Sequence, residues 1–205
     1  KPIDAIIHLA GLKSVEESIR EPIRYWDNNV TGTINLIKAM KIINCTRIVF
    51  SSSATIYGQK NSKLLIKENS SIHPNNVYGE TKYVIERILE SLKEISLNNY
   101  WSIVILRYFN PIGAHPSSLI GENPLVKPTN IMPLINDVAL GRKDYLEIYG
   151  NDWDTPDGTC IRDYIHVMDL AEGHLKSLEY ILNCKPEILK LSLGTGQGVS
   201  VLELL

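Results

Sequence analysis

Four short runs in this chain are apolar almost without interruption. They are Asp4-Ala5-Ile6-Ile7-His8-Leu9-Ala10, Arg47-Ile48-Val49-Phe50-Ser51-Ser52-Ser53, Ser102-Ile103-Val104-Ile105-Leu106-Arg107 and Ile188-Leu189-Lys190-Leu191-Ser192-Leu193. A strand with one face in water alternates apolar and polar residues. A continuous run marks a strand covered on both faces, the situation of a parallel sheet between helices. A helical stretch from Asn28 to Ile43 separates the first two runs, with Leu36, Ala39, Met40 and Ile43 at three- and four-residue spacing. A second, from Tyr78 to Leu97, separates the next two and sets Val84, Ile88, Leu92 and Ile95 on one stripe. Strand and helix alternating in units of ~30 residues predict right-handed βαβ crossovers and an α/β, doubly wound parallel sheet.

From Pro111 to Tyr164 the character changes. Pro111, Pro116, Pro124, Pro128, Pro133 and Pro156 fall here among frequent glycines, with one helix-like piece from Asn130 to Leu140. The stretch keeps apolar residues and lacks low-complexity bias, so it reads as a smaller irregular region rather than a linker. Open α/β folds bind ligands at the carboxyl ends of their strands, where such a region would sit. A helix from Met168 then returns to the sheet. With a net charge of −2 and a pI near 6.2, the chain lacks the electrostatic footprint of a nucleic-acid or membrane binder. No apolar run reaches the ~18 residues of a membrane span. Cys45, Cys160 and Cys184 are far apart and read as free thiols of a reducing compartment.

The sharpest chemical signal is Tyr78-Gly79-Glu80-Thr81-Lys82. On a helix, i and i+4 share a face, so phenol and ammonium point into one site. A neighbouring cation favours tyrosinate and lowers its pKa, which suits a general base. Ser51-Ser52-Ser53 closes one predicted strand and His8-Leu9-Ala10-Gly11 another. A hydroxyl there can meet a substrate, and small residues let a ligand approach the backbone. Each has a plainer structural reading: a surface Tyr/Lys pair, a serine turn, strand termination. Gly194-Thr195-Gly196-Gln197-Gly198 lacks G-x-G-x-x-G spacing and reads as a sheet-edge turn before the last helix. Asp152, Asp154 and Asp157 do not have calcium-loop spacing, and the five histidines form no ligand pair, so no metal is expected.

Further motifs sharpen the reading. The segments Ser51–Gly58 (SSSATIYG), Arg107–Pro116 (RYFNPIGAHP), Pro128–Pro133 (PTNIMP), Tyr149–Asp152 (YGND) and Asp157–Ala171 (DGTCIRDYIHVMDLA) resemble segments of the UDP-glucose (UDP-galactose) 4-epimerases. These enzymes are a branch of the extended short-chain dehydrogenase/reductase family. The resemblance spans essentially the whole chain and implies a Rossmann-like fold. Residues 1–108 would be the later part of a dinucleotide-binding domain, 109–167 a nucleotide-sugar-binding region, and 168–205 a return to the first domain.

The implied activity is NAD-dependent interconversion of UDP-galactose and UDP-glucose, in galactose metabolism, by transient oxidation at sugar carbon 4. The resemblance implies that Tyr78 is the base, Lys82 tunes it and binds the nicotinamide ribose, and Ser53 hydrogen-bonds the reacting oxygen. It implies Leu9, Ala10, Gly11, Lys13, Asn28 and Tyr108 as further NAD contacts. It implies Ala54, Thr55, Phe109, Asn110, Asn130, Ile131, Tyr149 and Arg162 as contacts to the UDP-hexose, with Arg162 on the diphosphate as a bidentate donor. Without the resemblance, Lys13 and Arg162 read as solvated charges, Asn110 as a turn, Asn130 as an N-cap, and Tyr108 and Tyr149 as core.

The resemblance also implies a cytoplasmic homodimer built by the helices at 28–43 and 78–97. The chain departs from the pattern at Leu9 (usually Phe), Val77 (commonly Pro), Thr129 (Asn) and Cys160 (Gly), and by about two extra residues, assigned to Leu97-Asn98-Asn99-Tyr100. The glycine fingerprint of the pyrophosphate loop and its acidic ribose ligand are absent, so the chain is expected to be an internal piece of a longer protein, neither stable nor a tight NAD binder alone. A nucleotide-sugar 4,6-dehydratase shares the Tyr/Lys pair but needs an acid after the strand-end residue, where this chain has Ala54 and Thr55. A non-catalytic binding module would have lost Tyr78 or Lys82, and both are present.

Overall fold

The computed structural model describes residues 2–58, 65–95, 100–124 and 128–205. Of the segment 97–100 to which the extra residues are assigned, 97–99 lie outside the described residues. In chain order the elements are β1 (Ile6–His8), α1 (Val15–Arg20), α2 (Pro22–Tyr25), a π-helical segment (Trp26–Thr31), α3 (Gly32–Ile42), β2 (Arg47–Ser53), a 3-10 turn (Ala54–Tyr57), α4 (Val77–Ile95), β3 (Ser102–Tyr108), β4 (Asn110–Ile112), α5 (Ile131–Ala139), β5 (Ile161–His166), α6 (Val167–Asn183), β6 (Ile188–Leu193), β7 (Gly198–Ser200) and α7 (Val201–Leu204). They form two compact units, 1–108 with 172–193, and 109–171 with 194–205.

The first unit holds a four-stranded parallel sheet in the order β1-β2-β3-β6. Ile48 pairs with Ile6 and Ile103, and Ile103 with Ile188. Successive side chains point to opposite faces, and both faces are apolar. Ile48, Phe50, Ile103 and Ile105 pack against Ile37 and Met40 of α3 and Ile85 and Leu89 of α4. Val49, Val104 and Leu106 pack against Ile181 and Leu178 of α6. Helices on both faces make the sheet doubly wound. Fully burying one such side chain stabilises by about 1.5–3 kcal/mol, which is why the strand runs tolerate so few polar residues.

Helix details differ from the sequence reading. The residues of α4 facing the core are Ile85 and Leu89, and Ile88 and Leu92 of the expected Val84/Ile88/Leu92/Ile95 stripe lie at their edge. A helix lying on a sheet buries a broad arc, so its deepest line is not fixed by one four-residue series. Ile43 is the C-cap of α3 and 48% exposed. Helical structure also begins earlier than Asn28. Ser14 Oγ accepts the Glu17 amide at 3.2 Å to cap α1, and Pro22 starts α2. The polar run Glu16-Glu17-Ser18 hides the apolar period there.

In the second unit β4 pairs parallel with β5, and β7 antiparallel with β5. The sequence reading returned all of 168–205 to the first domain; instead, 194–205 belongs with 109–171. The cause is local. Ser200 pairs with Ile161, and the Asp163 carboxylate accepts the Thr195 and Gly196 amides at 2.9 and 2.8 Å. The Gly194–Gly198 segment is therefore a turn whose amides are filled by the chain's own carboxylate. Ser200 then caps α7 reciprocally with Glu203. The division between units falls within α6, after Ala171.

Candidate functional site

In the first unit the candidate site forms where β1 and β2 end and α4 begins. Ser52 points toward α4, its hydroxyl donating to Glu86 Oε1 at 2.5 Å. Ser53 is the last strand residue, and its Oγ accepts the Thr55 amide at 3.2 Å and the Thr55 hydroxyl at 2.9 Å. The 3-10 turn then ends at Gly58 (φ 67), where a Cβ would lie 2.0 Å from the His73 carbonyl. Only glycine allows the 54–58 turn to pack against the segment leading into α4.

The helix brings Tyr78 and Lys82 onto one face, as i,i+4 spacing requires. Tyr78 is 8% exposed and hydrogen-bonds Ser53. Lys82 is 5% exposed, donates to the Ser51 carbonyl at 2.8 Å, and sits 5.8 Å from the Tyr78 ring centroid and 4.9 Å from that of Phe50. Ser53, Tyr78 and Lys82 thus meet in one place, and Tyr108, a fourth expected residue, pairs with Ser53 on the neighbouring strand β3.

The electrostatics differ from the simple expectation. Burial pushes the Tyr78 phenol up to about 12, and the Ser53 hydrogen bond recovers only part of that. The ammonium is itself weakened: burial brings Lys82 down to about 8. Burial first, and then the Lys82 charge, hold His8 down at about 4, so its ring is neutral and shares a hydrogen bond of 2.9 Å with Thr33 Oγ1. A direct measurement follows. The Lys82 13Cε resonance should titrate near pH 8, against an ordinary 10.5. Between those values the unfolded chain still holds a proton the folded one has released, so this group adds stability as pH rises through that window. A midpoint above 10 would show the ammonium to be solvated.

These residues fit a dinucleotide. Lys82 spends one of its three protons on Ser51, leaving a buried ammonium with donors to offer a ribose diol. At Gly11 an added Cβ would meet Asn29 Oδ1 at 3.2 Å and Lys82 Nζ at 3.7 Å, so a side chain there would crowd the cradle. Leu9, Ala10, Gly11, Lys13 and Asn28 are all exposed.

Sequence reasoning named Asn28 and missed Asn29. Asn29, 2% exposed, accepts the Leu12 amide at 2.8 Å, donates to the Leu12 carbonyl at 3.0 Å, and donates to Thr81 Oγ1 at 3.1 Å. It ties the loop after β1 to α4, on a π-helical segment of the kind often found at functional sites.

The second unit holds a cavity of about 280 Å³. Asn110, Asn130, Ile131, Tyr149 and Arg162, all expected from sequence, line it, as do Leu146, Glu147, Cys160 and Tyr164. Phe109 does not line it; its ring lies against Gly194, where an added Cβ would meet it at 2.8 Å. Asn130 stands at the N-cap of α5 without capping it, donating instead to Glu122 at 3.0 Å. Tyr149 is 78% exposed and donates to Glu147 at 2.8 Å, so it is no core residue. The Arg162 guanidinium donates to its neighbour's carbonyl, Ile161 O, at 2.9 Å, and pairs with no carboxylate among the described residues. The lining thus combines Tyr149 and Tyr164, aliphatic side chains such as Ile131 and Leu146, the Arg162 guanidinium and the carboxylates of Glu122 and Glu147. Among the described residues no group of three or more His, Cys, Asp or Glu could hold a metal, and no helix is long and apolar enough to cross a membrane.

Comparison with known proteins extends these observations. A family model described as the NAD dependent epimerase/dehydratase family matches residues 1–191. The UDP-glucose 4-epimerase of Yersinia enterocolitica is 50% identical over 204 residues, 99% of this chain and 59% of that protein. That of Bacillus subtilis is 50% identical over 202 residues, 98% of this chain and 58% of that protein. The chain therefore spans little more than half the length of these relatives. A crystal structure of the Bifidobacterium longum UDP-glucose 4-epimerase, in complex with NAD+ and UDP, superposes with a TM-score of 0.92 at 46% identity, covering 100% of this chain and 60% of that one.

Proposed function

Because the chain belongs to the NAD dependent epimerase/dehydratase family, we propose that the complete protein interconverts UDP-galactose and UDP-glucose by transient oxidation at sugar carbon 4. The observation carrying this reading is the meeting of Ser53, Tyr78 and Lys82 at the end of β2, in a chain half identical to UDP-glucose 4-epimerases. NAD, when bound, supplies the hydride acceptor and donor and brings a nicotinamide cation to a site whose own groups leave Tyr78 near 12. Lys82 holds the ribose. Leu9, Ala10, Gly11, Lys13, Asn28 and Tyr108 line the remainder, so that the first unit is the dinucleotide-binding part. Tyr78 takes the proton of the sugar 4-hydroxyl and returns it on reversal, while Ser53 holds the same oxygen.

Asn110, Asn130, Ile131, Tyr149 and Arg162 of the second unit hold the nucleotide sugar, making that unit the substrate-binding part, and Ala54 and Thr55 of the first unit are inferred as further contacts to the substrate. Arg162 grips the diphosphate with two donors. Arg162→Lys should therefore raise KM for the UDP-sugar about tenfold with little change in kcat, because an ammonium cannot form the fork. An unchanged KM with the whole defect in kcat would refute this role.

Dehydration is the weaker reading. No carboxylate follows Ser53 to eliminate water, only Ala54 and Thr55 in the 3-10 turn. Product analysis of the complete protein with UDP-galactose decides. UDP-glucose supports epimerisation, a 4-keto-6-deoxy sugar would establish the dehydratase, and no product would establish a binding module. A homodimer built by the helices at 28–43 and 78–97 is inferred for the complete protein; Ile42 and Ile43, exposed at the end of the first of these helices, support it, and a monomeric mass by light scattering at micromolar concentration would exclude it. Three free thiols are the state a reducing cytoplasm maintains.

A further inference from the structure

One buried histidine has no part in the mechanism above. His174, on α6, is 8% exposed, and its Nε2 lies 2.7 Å from Ser51 Oγ. Ser51 is fully buried and shares the face of β2 that carries Val49, the face covered by α6. Its carbonyl is the acceptor that holds the Lys82 ammonium at 2.8 Å. Its hydroxyl also hydrogen-bonds the Tyr108 phenol, whose ring lies 6.0 Å from the imidazole at 60°. A hydroxyl has one proton and two lone pairs, so Ser51 can satisfy the ring nitrogen and the phenol together. Groups from α4, α6 and β3 therefore converge on this one residue.

We propose that His174 is a positioning residue that acts through Ser51, setting the Lys82 ammonium and the Tyr108 phenol in the orientation that receives the dinucleotide. The proposal rests on the cofactor reading given above. With the imidazole removed, the Ser51 hydroxyl turns wholly to Tyr108 and the peptide that carries the Lys82 acceptor loses its anchor on α6. A buried hydroxyl bond of this kind is worth up to about tenfold in an equilibrium.

The test uses the complete protein with His174→Leu, His174→Gln, Ser51→Ala and the His174→Leu/Ser51→Ala double variant. NAD and UDP are titrated by calorimetry, and the Lys82 13Cε resonance is followed by NMR. His174→Leu should weaken NAD about tenfold and leave UDP affinity unchanged. His174→Gln, whose amide still reaches Ser51, should stay within about threefold, and the double variant should be no worse than the single ones. Additive losses, or a glutamine as poor as leucine, would overturn the proposal, because either result describes general packing damage. A wild type that binds UDP but no NAD would sink the cofactor reading, and the resonance then decides on its own. Lys82 displaced by leucine and alanine but not by glutamine supports the role of His174; Lys82 unmoved in all variants refutes it.

Discussion

Replacing Tyr78 with phenylalanine in the complete protein should lower kcat for epimerisation about a thousandfold while NAD and UDP stay bound. The substitution deletes one oxygen and leaves the ring, so the packing that keeps this residue 8% exposed survives. Lys82 keeps its bond to Ser51, which does not involve the phenol. What disappears is the proton acceptor for the sugar hydroxyl, and a positioned acid/base group contributes about 10²–10⁴-fold. A thousandfold loss is about 4 kcal/mol of barrier. A variant retaining more than about a tenth of the activity, a loss of under about 1.4 kcal/mol, would show that another group takes the proton. The loss should also vary little with pH from 6 to 8 if the phenol's high pKa, about 12 in the cofactor-free protein, is overcome by charge arriving with the cofactor. A wild-type rate that climbs tenfold per pH unit across that range would instead mean the phenol stays at its buried value.

The fold was legible because buried parallel strands write themselves as uninterrupted apolar runs, and each of the four runs contains a strand of the sheet. The Tyr78/Lys82 pair was legible because helical geometry alone puts i and i+4 together. Less could be read where partners are distant in sequence. Asn29 lies beside Asn28, and only the π-helical winding decides which amide turns inward to Leu12 and Thr81. His174 carries no motif of its own, and its partner lies 123 residues away. Helix α1 escaped because its apolar spacing is interrupted by carboxylates. One signal was present but unused: Arg107 closes a run that must be buried on both faces, and such a charge needs a partner.

That partner sets the second large effect. Glu86→Leu should destabilise the complete protein by about 3–5 kcal/mol, because it strands a guanidinium in the core. Arg107 is 1% exposed, and its Nε and Nη2 grip the Glu86 carboxylate at 2.6–3.2 Å. Its Nη1 donates to Tyr57 Oη at 3.0 Å and to the Glu68 carbonyl at 2.9 Å. Burial alone would make the guanidinium easier to deprotonate, but the bonds and charge of Glu86 outweigh it and push its pKa up. Since whole domains are stable by only about 5–15 kcal/mol, the single change should lower the thermal midpoint by many degrees or leave little folded protein. Adding Arg107→Met should restore part of the loss, since two apolar side chains in that space leave no unpaired charge. The recovery should be incomplete, because the Tyr57 hydroxyl loses its donor and the Ser52 hydroxyl its acceptor. Ser52 and Arg107 adjoin Ser53 and Tyr108, so the double variant should be well folded yet bind NAD more weakly. Thermal unfolding of four proteins, the wild type, Glu86→Leu, Arg107→Met and the double variant, checks that the double lies between the wild type and Glu86→Leu; a double variant that loses the sum of both single effects would mean the pair acts as two independent surface charges rather than one buried ion pair.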